Sequence, residues 1–569
     1  MQLADRVVEQ LTAVEGRTAG PRRIHRVHFV ELNAKVNTLA VSPIFPKYGT
    51  PLLAAILRER GYEARIFLEG VSNLALDRIA DCDAVCFPVF APALTKVRAL
   101  AQRLRAEHPG LPIIMGGPQV ALFPETVLDV CDYAVRCEGD EVLPELLERL
   151  STGEGLDSVR GVSYPGMGGI PVHCPDRIPP AVPATGPDLT LIEGFAEAAR
   201  GARRHGIVNT LQTSRGCHFH CKFCPTSRLF GGSYRTRDVD SVIQDIRARL
   251  RYNRVFFVVD NSFLGDHAHA KELLLRLARE DLGAYFIVFE RHQVGLDEEM
   301  LGLMKRAGVV CIIVGIESLA DESLSSYDKR QTSEAVTRSV ESILRHDLHV
   351  IGTFVLGSDS DTPASAESIL RFVEATDISL NLFVVHDLEM DESKGLLIPL
   401  NRRFQTYYSR TAPDDLSPWD YLTGSFVSHF PKRMRPSTLQ ESTLRIYEQV
   451  FSHRRIARRT LASNLFEATF GVYHGYGVKR LTESIRAVVD GGYLDHLRRI
   501  EDGLYDGDEV LRDDRLAGLE TLPLPPPLAE QANNHRYEPL IALMAAPGLL
   551  RSQLAMASYR RRAAKLAHP

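Results

Sequence analysis

The segment Thr213-Ser-Arg-Gly-Cys-His-Phe-His-Cys-Lys-Phe-Cys-Pro225 follows an apolar run at Val208–Gln212 and is the most informative part of the sequence. Its three cysteines, Cys217, Cys221 and Cys224, have the spacing x3 and x2. Three thiolates this close on one loop can bind three irons of a [4Fe–4S] cluster and leave the fourth iron open. An open iron can accept a bidentate amino and carboxylate ligand, which is what S-adenosylmethionine (SAM) offers. The spacing therefore predicts a cluster with one open coordination site.

Two other metal sites remain open on these residues alone. His218 and His220 could complete a tetrahedral zinc site, although zinc sites generally pair cysteines from two knuckles and no second knuckle follows. Cys174 or Cys311 could supply a fourth ligand to a closed electron-transfer cluster, although Cys311 lies in an apolar run. The other cysteines show no paired spacing, which favours buried thiols in a reducing compartment over disulfides.

The whole chain has 569 residues, 44% of them hydrophobic, and a formal net charge of −5. This length is too great for one hydrophobic core and predicts about three domains. The mildly acidic balance argues against nucleic acid as the main partner, because phosphate binding favours a basic surface. There is no apolar signal core at the start and no run of about eighteen apolar residues, which predicts a soluble, cytoplasmic protein.

Residues 24–150 alternate short apolar runs with helical stretches. The predicted strands are Val27–Leu32, Ala64–Leu68, Ala84–Val89, Ile113–Met115 and Tyr133–Val135. The alternation predicts parallel strands with crossover helices, which is a doubly wound, Rossmann-like α/β domain. Ligands of such sheets lie at the carboxyl ends of the strands, where Gly116-Gly117-Pro118 and Glu138-Gly139 follow two of the predicted strands.

A second series of strand and helix patterns begins near residue 208. Its predicted strands are Val208–Gln212, Val255–Val259, Tyr285–Phe289, Val310–Val314, Val350–Leu356 and Leu380–Val385. Six successive βα units predict a full or partial barrel, whose site lies at the C-terminal ends of the strands. Polar side chains that end the third and sixth strands are therefore candidate substrate contacts, or else satisfied polar residues of the rim. These are Glu290, Arg291, His292, His386, Asp387 and Glu389.

The patterns divide the chain into four parts. We predict a first domain with its linker at 1–185, the barrel at 186–400, a mostly helical domain at 401–520, and a proline-rich break with a basic helix at 521–569. The linker, at about 151–190, is rich in glycine and proline. The last helix, Leu549–Pro569, could lie as a basic amphipathic tail on an anionic membrane surface, or dock on the body as a solvated helix.

The cysteine segment resembles the radical SAM superfamily, whose signature is this spacing with an aromatic residue before the third cysteine. The resemblance implies that Phe223 packs beside the adenine of SAM. Three later segments at strand ends also resemble the barrel of that family. These segments are Val259–Phe263, Gly315–Ser318 and Gly352–Gly357. The resemblance implies that Ser262 contacts the amino-acid moiety of SAM, that Glu317 and Ser318 lie near its ribose, and that Gly357 contacts its adenine.

The N-terminal domain resembles the cobalamin-binding domain of one large branch of this superfamily. The matching stretches are Pro46–Gly61, Ile113–Pro118 and Asp132–Glu141, the last with Cys137 where the usual motif has glycine. No Asp-x-His-x-x-Gly motif occurs, so the resemblance implies cobalamin with its own base displaced and no histidine below the cobalt. The implied cobalamin contacts are Pro46, Gly49, Thr50, Gly116, Gly117, Pro118, Glu138 and Gly139.

The region Trp419–Arg459, and Pro431–Pro436 within it, resembles the helical C-terminal extension of a subset of these enzymes. The family chemistry then implies a cluster that, when reduced, cleaves SAM to a 5′-deoxyadenosyl radical, which removes hydrogen from an unactivated carbon. We predict a C-methyltransferase, in which a second SAM methylates cob(I)alamin and the substrate radical takes the methyl group from methylcobalamin. Related enzymes close or contract rings without methyl transfer, and this is the alternative.

The substrate and the partners are predicted only in outline. A lipid, a natural-product intermediate and a pigment precursor are all open as substrates. An electron donor such as flavodoxin or ferredoxin is implied as the redox partner. A cobalamin-binding sensor with a structural cluster is a non-enzymatic alternative, but no DNA-binding motif or basic recognition helix is evident in the sequence.

Overall fold

The computed structural model of the chain describes residues 23–36, 47–200, 209–221, 223–327, 329, 331–384, 389–391, 396–398, 417–462, 465–507, 509–512, 515 and 525–529. Three of the predicted site residues, Pro46, His386 and Asp387, lie outside these ranges. The predicted basic helix at 549–569 also lies outside them.

The first domain is a mostly parallel sheet with helices on both faces. Its strands are β1 (Arg26–Glu31), β2 (Glu63–Leu68), β3 (Ala84–Pro88), β4 (Ile113–Gly116), β5 (Tyr133–Val135), β6 (Val162–Pro165) and β7 (Pro171–His173). Its longer helices are α1 (Gly49–Glu59), α2 (Leu76–Ala80), α3 (Leu94–Glu107), α4 (Pro118–Leu122) and α5 (Gly139–Thr152). The strand order is β2-β1-β3-β4-β5-β6-β7, in which β1 to β5 are parallel and β6 and β7 form an antiparallel edge.

Alternate residues of these strands face two separate apolar layers. Val27 and Phe29 of β1 pack into the layer that contains α1 and α5, whereas Val85 and Phe87 of β3 pack into the layer that contains α3. Burial on both faces explains why each strand is a continuous apolar run. The predicted doubly wound α/β domain is confirmed.

The chain that leaves this sheet packs on the first domain as far as residue 200. Its short helix α6 (Phe195–Arg200) begins with a buried phenylalanine. Leu189, Ile192 and Phe195 belong to the same core as β1, and Ile192 makes a parallel bridge to Ile66 of β2. The packing therefore extends the first domain to about residue 200, beyond the predicted boundary at 185. Strands β6 and β7 lie in the stretch that we predicted as a linker.

The second domain is an open, parallel partial barrel. Its parallel strands are β8 (Asn209–Leu211), β11 (Val255–Val258), β12 (Tyr285–Arg291), β13 (Val309–Glu317), β14 (His349–Leu356) and β15 (Ser379–Val384), in the order β15-β14-β13-β12-β11-β8. Its helices are α7 (Thr226–Leu229), α8 (Val239–Arg249), α9 (His267–Glu280), α10 (Glu298–Arg306), α11 (Asp321–Ser326), α12 (Ser333–Arg345) and α13 (Pro363–Thr376). Each of the six predicted strands occurs within two or three residues of its predicted ends.

A short hairpin that the sequence patterns did not predict precedes the cysteines. Strand β9 (Ser214–Gly216) pairs antiparallel with β10 (Tyr234–Thr236), and the cysteine loop lies between them. Strands of three residues are too short to show a period in the sequence.

The two faces of the barrel sheet have different apolar clusters. Val288 and Val314 point toward the covering helices and join the large core of the domain. Ile287, Ile313 and Cys311 point to the opposite, concave face. Cys311 is fully buried there among Ile287, Ile313 and Ile351, as a small apolar side chain of the core would be.

The described part of the third domain is helical, as predicted. Its helices are α14 (Pro436–Val450), α15 (His453–Ala462), α16 (Leu465–Val488) and α17 (Leu494–Glu501), and a short hairpin of β16 (Glu389–Asp391) and β17 (Leu396–Ile398) precedes them. A single turn of 3₁₀ helix at Ser417–Tyr421 docks on the first domain, where Asp420 binds Lys35 at 2.7 Å and Trp419 packs edge-on against Phe123. Within the described ranges, no helix has the length and apolar character needed to cross a bilayer.

Candidate cluster and cofactor sites

The three motif cysteines lie on the loop after β9, each partly exposed and none in a disulfide. The backbone N–H of Cys224 donates to the carbonyl of Cys221 at 2.9 Å, which closes a tight turn. In a cubane each thiolate binds a different iron, so three free thiols spread along one exposed loop fit such a cluster. Across the described ranges, no group of three His, Cys, Asp or Glu side chains converges as the ligands of a single ion would.

Two cations lie beside Cys221. Arg291 donates from Nη1 to the Cys221 sulfur at 3.9 Å, and its guanidinium stacks on the Phe219 ring with a centroid distance of 3.8 Å. Burial raises the pKa of the Cys221 thiol, and the charges of Lys329 and Arg291 oppose that effect. Cationic neighbours stabilise thiolates and an anionic cluster, so this surrounding also fits an iron–sulfur site.

The entry to the cysteine loop is fixed by a buried carboxylate. Asp260, two residues after β11, accepts hydrogen bonds from the Thr213 backbone N–H at 2.8 Å and from the Ser214 hydroxyl at 2.9 Å. Burial raises the pKa of Asp260 to about 6, while the hydrogen bonds from Thr213 act to lower it. The contact ties β9 to the end of the neighbouring barrel strand, which is where the loop must be held.

The predicted SAM residues at the barrel mouth make defined contacts. Phe223 packs edge-on against Tyr327 with centroids 5.2 Å apart, in a small cluster with Val355. Glu317, at a positive φ of 65°, forms a buried ion pair with Lys329. These contacts place an aromatic surface and a charged pair next to the cysteine loop.

Two other predicted SAM residues, Ser262 and Ser318, form hydrogen bonds with neighbouring groups. The Ser262 hydroxyl donates to the buried carboxylate of Glu290 at 3.2 Å, and that carboxylate also accepts from the Leu264 N–H. The Ser318 hydroxyl accepts from the Ala320 N–H at 3.1 Å. Ser262 lies four residues after β11 ends, and Ser318 directly follows β13. Their contacts with SAM stay a prediction.

The predicted cobalamin residues that lie within the described ranges share the carboxyl edge of the first sheet. Gly117 has a φ of 92°, and a Cβ there would lie 2.9 Å from the Val89 carbonyl oxygen, so only glycine permits this approach of two strand ends. Gly116 ends β4 and Pro118 begins α4. At the start of α1, next to Gly49, the Thr50 hydroxyl donates to the buried Glu31 carboxylate at 2.8 Å. Gly116, Gly117 and Gly139, which we call the glycine cradle, lie on this carboxyl edge, where ligands of such sheets bind.

Three of the predicted residues have contacts that differ from the expectation. The carboxylate of Glu138 binds Arg215 and Arg235 of the barrel domain, so its predicted contact with cobalamin stays a prediction. Arg291 lies at the cluster loop rather than free at the rim. His292 is buried and its burial lowers its pKa to about 4, which is typical of a neutral structural histidine.

Sequence reasoning missed Lys329, Asp260 and Arg215. Lys329 lies twelve residues after Glu317 on a loop without a periodic pattern, so nothing in the sequence indicated the pair. For Arg215 a signal was present, because it stands two residues before Cys217 in the quoted segment.

Two family models match the chain on the regions just described. The B12 binding domain matches residues 34–147, and the radical SAM superfamily matches residues 211–373. The first range holds the glycine cradle, and the second begins at the end of β8 and includes the cysteine loop.

Several curated proteins are similar to the chain. An uncharacterised methyltransferase of Pyrococcus horikoshii is 26% identical over 78% of this chain and 94% of its own length. The hopanoid C-3 methylase of Methylococcus capsulatus is 28% identical over 50% of this chain. The anaerobic magnesium-protoporphyrin IX monomethyl ester cyclase of Rubrivivax gelatinosus is 24% identical over 61% of this chain. The chain spans only 55% and 65% of the lengths of the last two proteins.

Solved structures share the fold at low sequence identity. The radical SAM methyltransferase TsrM of Kitasatospora setae, with cobalamin and a [4Fe–4S] cluster bound, has a TM-score of 0.59 at 16% identity, over 82% of this chain and 100% of its own. The cobalamin-dependent radical SAM enzyme OxsB, with aqua-cobalamin and SAM bound, has a TM-score of 0.60 at 17% identity, over 87% of this chain and 78% of its own. With its B12-binding domain, its radical SAM domain and its loop of three free cysteines, the chain is a cobalamin-dependent radical SAM enzyme.

Proposed function

We propose that the enzyme is a C-methyltransferase that acts on an unactivated carbon of an apolar substrate, a lipid or a natural-product intermediate. The observation that carries the proposal is the contact between the cobalamin domain and the segment that leads into the cysteine loop, through Glu138 and Arg215. This contact places the domain that would bind cobalamin, the methyl carrier, next to the loop that would bind the cluster, the source of the radical. The similarity to proteins named as methyltransferases supports the same choice.

When bound, the cluster would supply the electron that cleaves SAM, and cobalamin would carry the methyl group. One turnover converts substrate, two SAM and two electrons into methylated substrate, S-adenosylhomocysteine, 5′-deoxyadenosine and methionine. The electrons come from an external reductant, for which we propose a flavodoxin or a ferredoxin. The cysteines would hold the cluster, and the glycine cradle at Gly117 would hold the cobalamin.

The residues around the open iron would orient SAM. Arg291 and Lys329 place positive charge beside Cys221, where a carboxylate ligand of the open iron would need it. Glu317, which is paired with Lys329, places an acceptor on the same side of the barrel mouth. Phe223 and Tyr327 offer the apolar surface on which an adenine can pack.

The concave face of the barrel supports an apolar substrate. Ile287, Ile313 and Ile351 are buried on this face, and Phe257 and Phe289 are partly buried beside them. These two rings contact each other edge-on with centroids 5.4 Å apart. This group of apolar side chains favours burial of a hydrocarbon skeleton over a polar metabolite.

A ring-closing or ring-rearranging reaction is the second candidate, because the Rubrivivax cyclase has similar sequence over 61% of this chain. The two candidates differ in their use of SAM. A methyltransferase releases S-adenosylhomocysteine and 5′-deoxyadenosine in nearly equal amounts, whereas a cyclase needs no methyl donor.

The test is an anaerobic assay of the reconstituted enzyme with dithionite and methyl-labelled SAM on candidate polycyclic lipids and natural-product intermediates. We expect a labelled product and both SAM-derived products in step with it. Substrate-dependent turnover that yields only 5′-deoxyadenosine, with no label in the product, would replace methyl transfer with the second candidate.

A further inference from the structure

Four buried charged side chains join the cobalamin domain to the hairpin that leads into the cluster cysteines. Arg215 of β9 and Arg235 of β10 stand directly opposite each other in the antiparallel ladder. Glu138 and Asp140 flank Gly139 at the start of α5, in the other domain. The exposed fractions of the four side chains are only 6%, 17%, 9% and 7% respectively. We call this group the interdomain clamp.

Arg215 is the centre of the clamp. Its Nη1 donates to Glu138 Oε2 at 2.5 Å and to one Asp140 oxygen, and its Nη2 donates to the other Asp140 oxygen at 3.2 Å. Its Nε donates to Gln212 Oε1 at 2.8 Å. The Arg215 guanidinium carries a positive charge, as arginine side chains in proteins always do. A planar guanidinium held by four acceptor atoms on three side chains has a fixed direction as well as a fixed distance.

Arg235 supplies the second positive charge, which balances the two carboxylates of the clamp. It binds both oxygens of Glu138, with Nη1 at 3.2 Å from Oε2, and it also donates to the Pro180 carbonyl. Two arginines and two carboxylates therefore sum to zero charge across the domain boundary. A buried ionic network is costly to desolvate and is weak evidence for stability, but it fixes one geometry, because any shift leaves a buried charge unpaired.

The interdomain clamp lies next to both predicted cofactor sites, the cysteine loop in the barrel domain and the cobalamin edge in the first domain. On the barrel side, only Gly216 separates Arg215 from Cys217. Gly216 has a φ of 89°, and a Cβ there would lie 1.8 Å from the Ser233 carbonyl oxygen. The backbone between Arg215 and Cys217 is therefore packed directly against the other strand of the hairpin. On the other side, Gly139 lies against Leu53 of α1, the helix that begins at Gly49 of the predicted cobalamin edge.

We propose that Arg215 is a positioning residue, which through Glu138 and Asp140 fixes the cysteine loop in one place relative to the cobalamin edge. The inference rests on the proposed function in one respect, namely that cluster and cobalamin serve one reaction. Without the clamp each cofactor still binds, but their separation varies, so that SAM is cleaved without methyl transfer.

The test compares Arg215→Gln with the unaltered enzyme, both reconstituted with cluster and cobalamin. Dipolar electron paramagnetic resonance between cob(II)alamin and the reduced cluster gives the distribution of their separation. We expect one narrow distribution in the unaltered enzyme and a broadened one in Arg215→Gln. We also expect 5′-deoxyadenosine per methylated product to rise about tenfold, because small misplacement of reacting groups has large effects on rate.

Arg249→Gln is the matched control. Arg249 is as buried as Arg215, with a side chain 3% exposed, but it pairs with Asp245 inside the barrel domain. We expect it to lower stability without changing the distance distribution or the product ratio. An equal change in both variants would show a general effect of losing a buried arginine and would overturn the proposal.

A second variant covers the case in which Arg215→Gln does not fold. Glu138→Gln keeps the shape of the side chain and leaves Asp140 on Arg215, so we expect intermediate broadening. A distribution as narrow as that of the unaltered enzyme, in whichever of the two variants folds, overturns the proposal. Because the distance measurement needs no substrate, a failure of methyl transfer in the unaltered enzyme would count against the proposed function alone.

Discussion

His429 donates from Nε2 to the carbonyl oxygen of Gly357 at 2.6 Å. His429 belongs to the third domain, and Gly357 follows the barrel strand β14, at the point where the family resemblance implies the adenine of SAM. Asp361 accepts hydrogen bonds from the N–H groups of Gly357 and Ser358 at 2.9 Å each. The helical domain therefore contacts the loop that the resemblance assigns to the adenine of SAM, and it is not a separate appendage.

The first prediction is that His429→Ala weakens SAM binding. The change leaves the buried Gly357 carbonyl without this donor and frees the loop on one side. A lost hydrogen bond of about 1.4 kcal/mol corresponds to a roughly tenfold higher Kd for SAM. The Kd is measured by equilibrium binding of SAM to the reconstituted enzyme, and the iron content shows whether the cluster is intact. His453→Ala, in the same domain beside Tyr476, is the control, and equal weakening in both variants would contradict the prediction.

The second prediction concerns the cluster. Protein purified and reconstituted without oxygen should be brown and carry about four irons per chain. Changing Cys217, Cys221 and Cys224 together to Ala should remove the iron and all formation of 5′-deoxyadenosine, because no thiolate remains to bind the cubane. Iron analysis and product chromatography measure the two effects. Stoichiometric zinc with no iron in the unaltered protein would restore the zinc alternative.

The third prediction concerns cobalamin. Gly117→Val should abolish cobalamin binding by the full chain, because its backbone has a φ of 92° and a side chain would meet the Val89 carbonyl. Equilibrium dialysis measures the loss. Gly110→Ala is the control, since it has open space and no positive φ. In the unaltered enzyme, the paramagnetic resonance spectrum of cob(II)alamin should lack nitrogen superhyperfine coupling, and its presence would refute the predicted absence of an axial histidine.

The sequence predicted the two sheets well, because most of their strands are apolar runs between glycines and helical stretches. Val350–Leu356 and His349–Leu356 differ by one residue, for example. The short hairpin of β9 and β10 escaped prediction, although it holds Arg215. Its strands are too short for a pattern, and their pairing partner lies beyond the whole cysteine loop.

Sequence patterns are informative for residues such as closely spaced cysteines, whose chemistry is restricted. They do not reveal ion pairs between residues that are far apart in the sequence. The spacing of the cysteines favours a cluster with one open iron, although a zinc site and a closed cluster stay possible on those residues alone. Glu138 was assigned to cobalamin from its motif, yet its carboxylate binds arginines 77 and 97 residues away in the chain. Likewise His292 ends a barrel strand, as a catalytic residue would, but the packing of the barrel buries it.

The fourth prediction concerns His292, whose pKa burial lowers from the usual 6.5 to about 4, with smaller effects of Arg291 and Lys329. A depressed folded pKa stabilises the fold above pH 6.5, and this contribution is lost as the pH falls toward 4. The loss has a slope of up to about 1.4 kcal/mol per pH unit. In His292→Gln, calorimetry between pH 7 and 5 should show a smaller fall in melting temperature. An unchanged slope would contradict the structural role, as would complete loss of SAM cleavage at pH 7 in a folded variant.

The last prediction concerns the substrate. Phe289 is partly buried on the concave face of the barrel, where it contacts Phe257, and it lies two residues before Arg291 on β12. Phe289→Ser should therefore raise the KM of an apolar substrate with little effect on the binding of SAM. Losing a buried aromatic contact of about 2 kcal/mol predicts a change of roughly thirtyfold.

Leu296→Ser is the control for that experiment, since Leu296 is 56% exposed and outside the strands. SAM cleavage without substrate should remain the same in the unaltered enzyme and both variants, because neither residue is one of the predicted SAM or cluster residues. A selective rise in KM in Phe289→Ser would place the hydrocarbon skeleton on the concave face. An unchanged KM, with product still formed, would show that the substrate binds elsewhere, and the apolar lining would then be no guide to its chemistry.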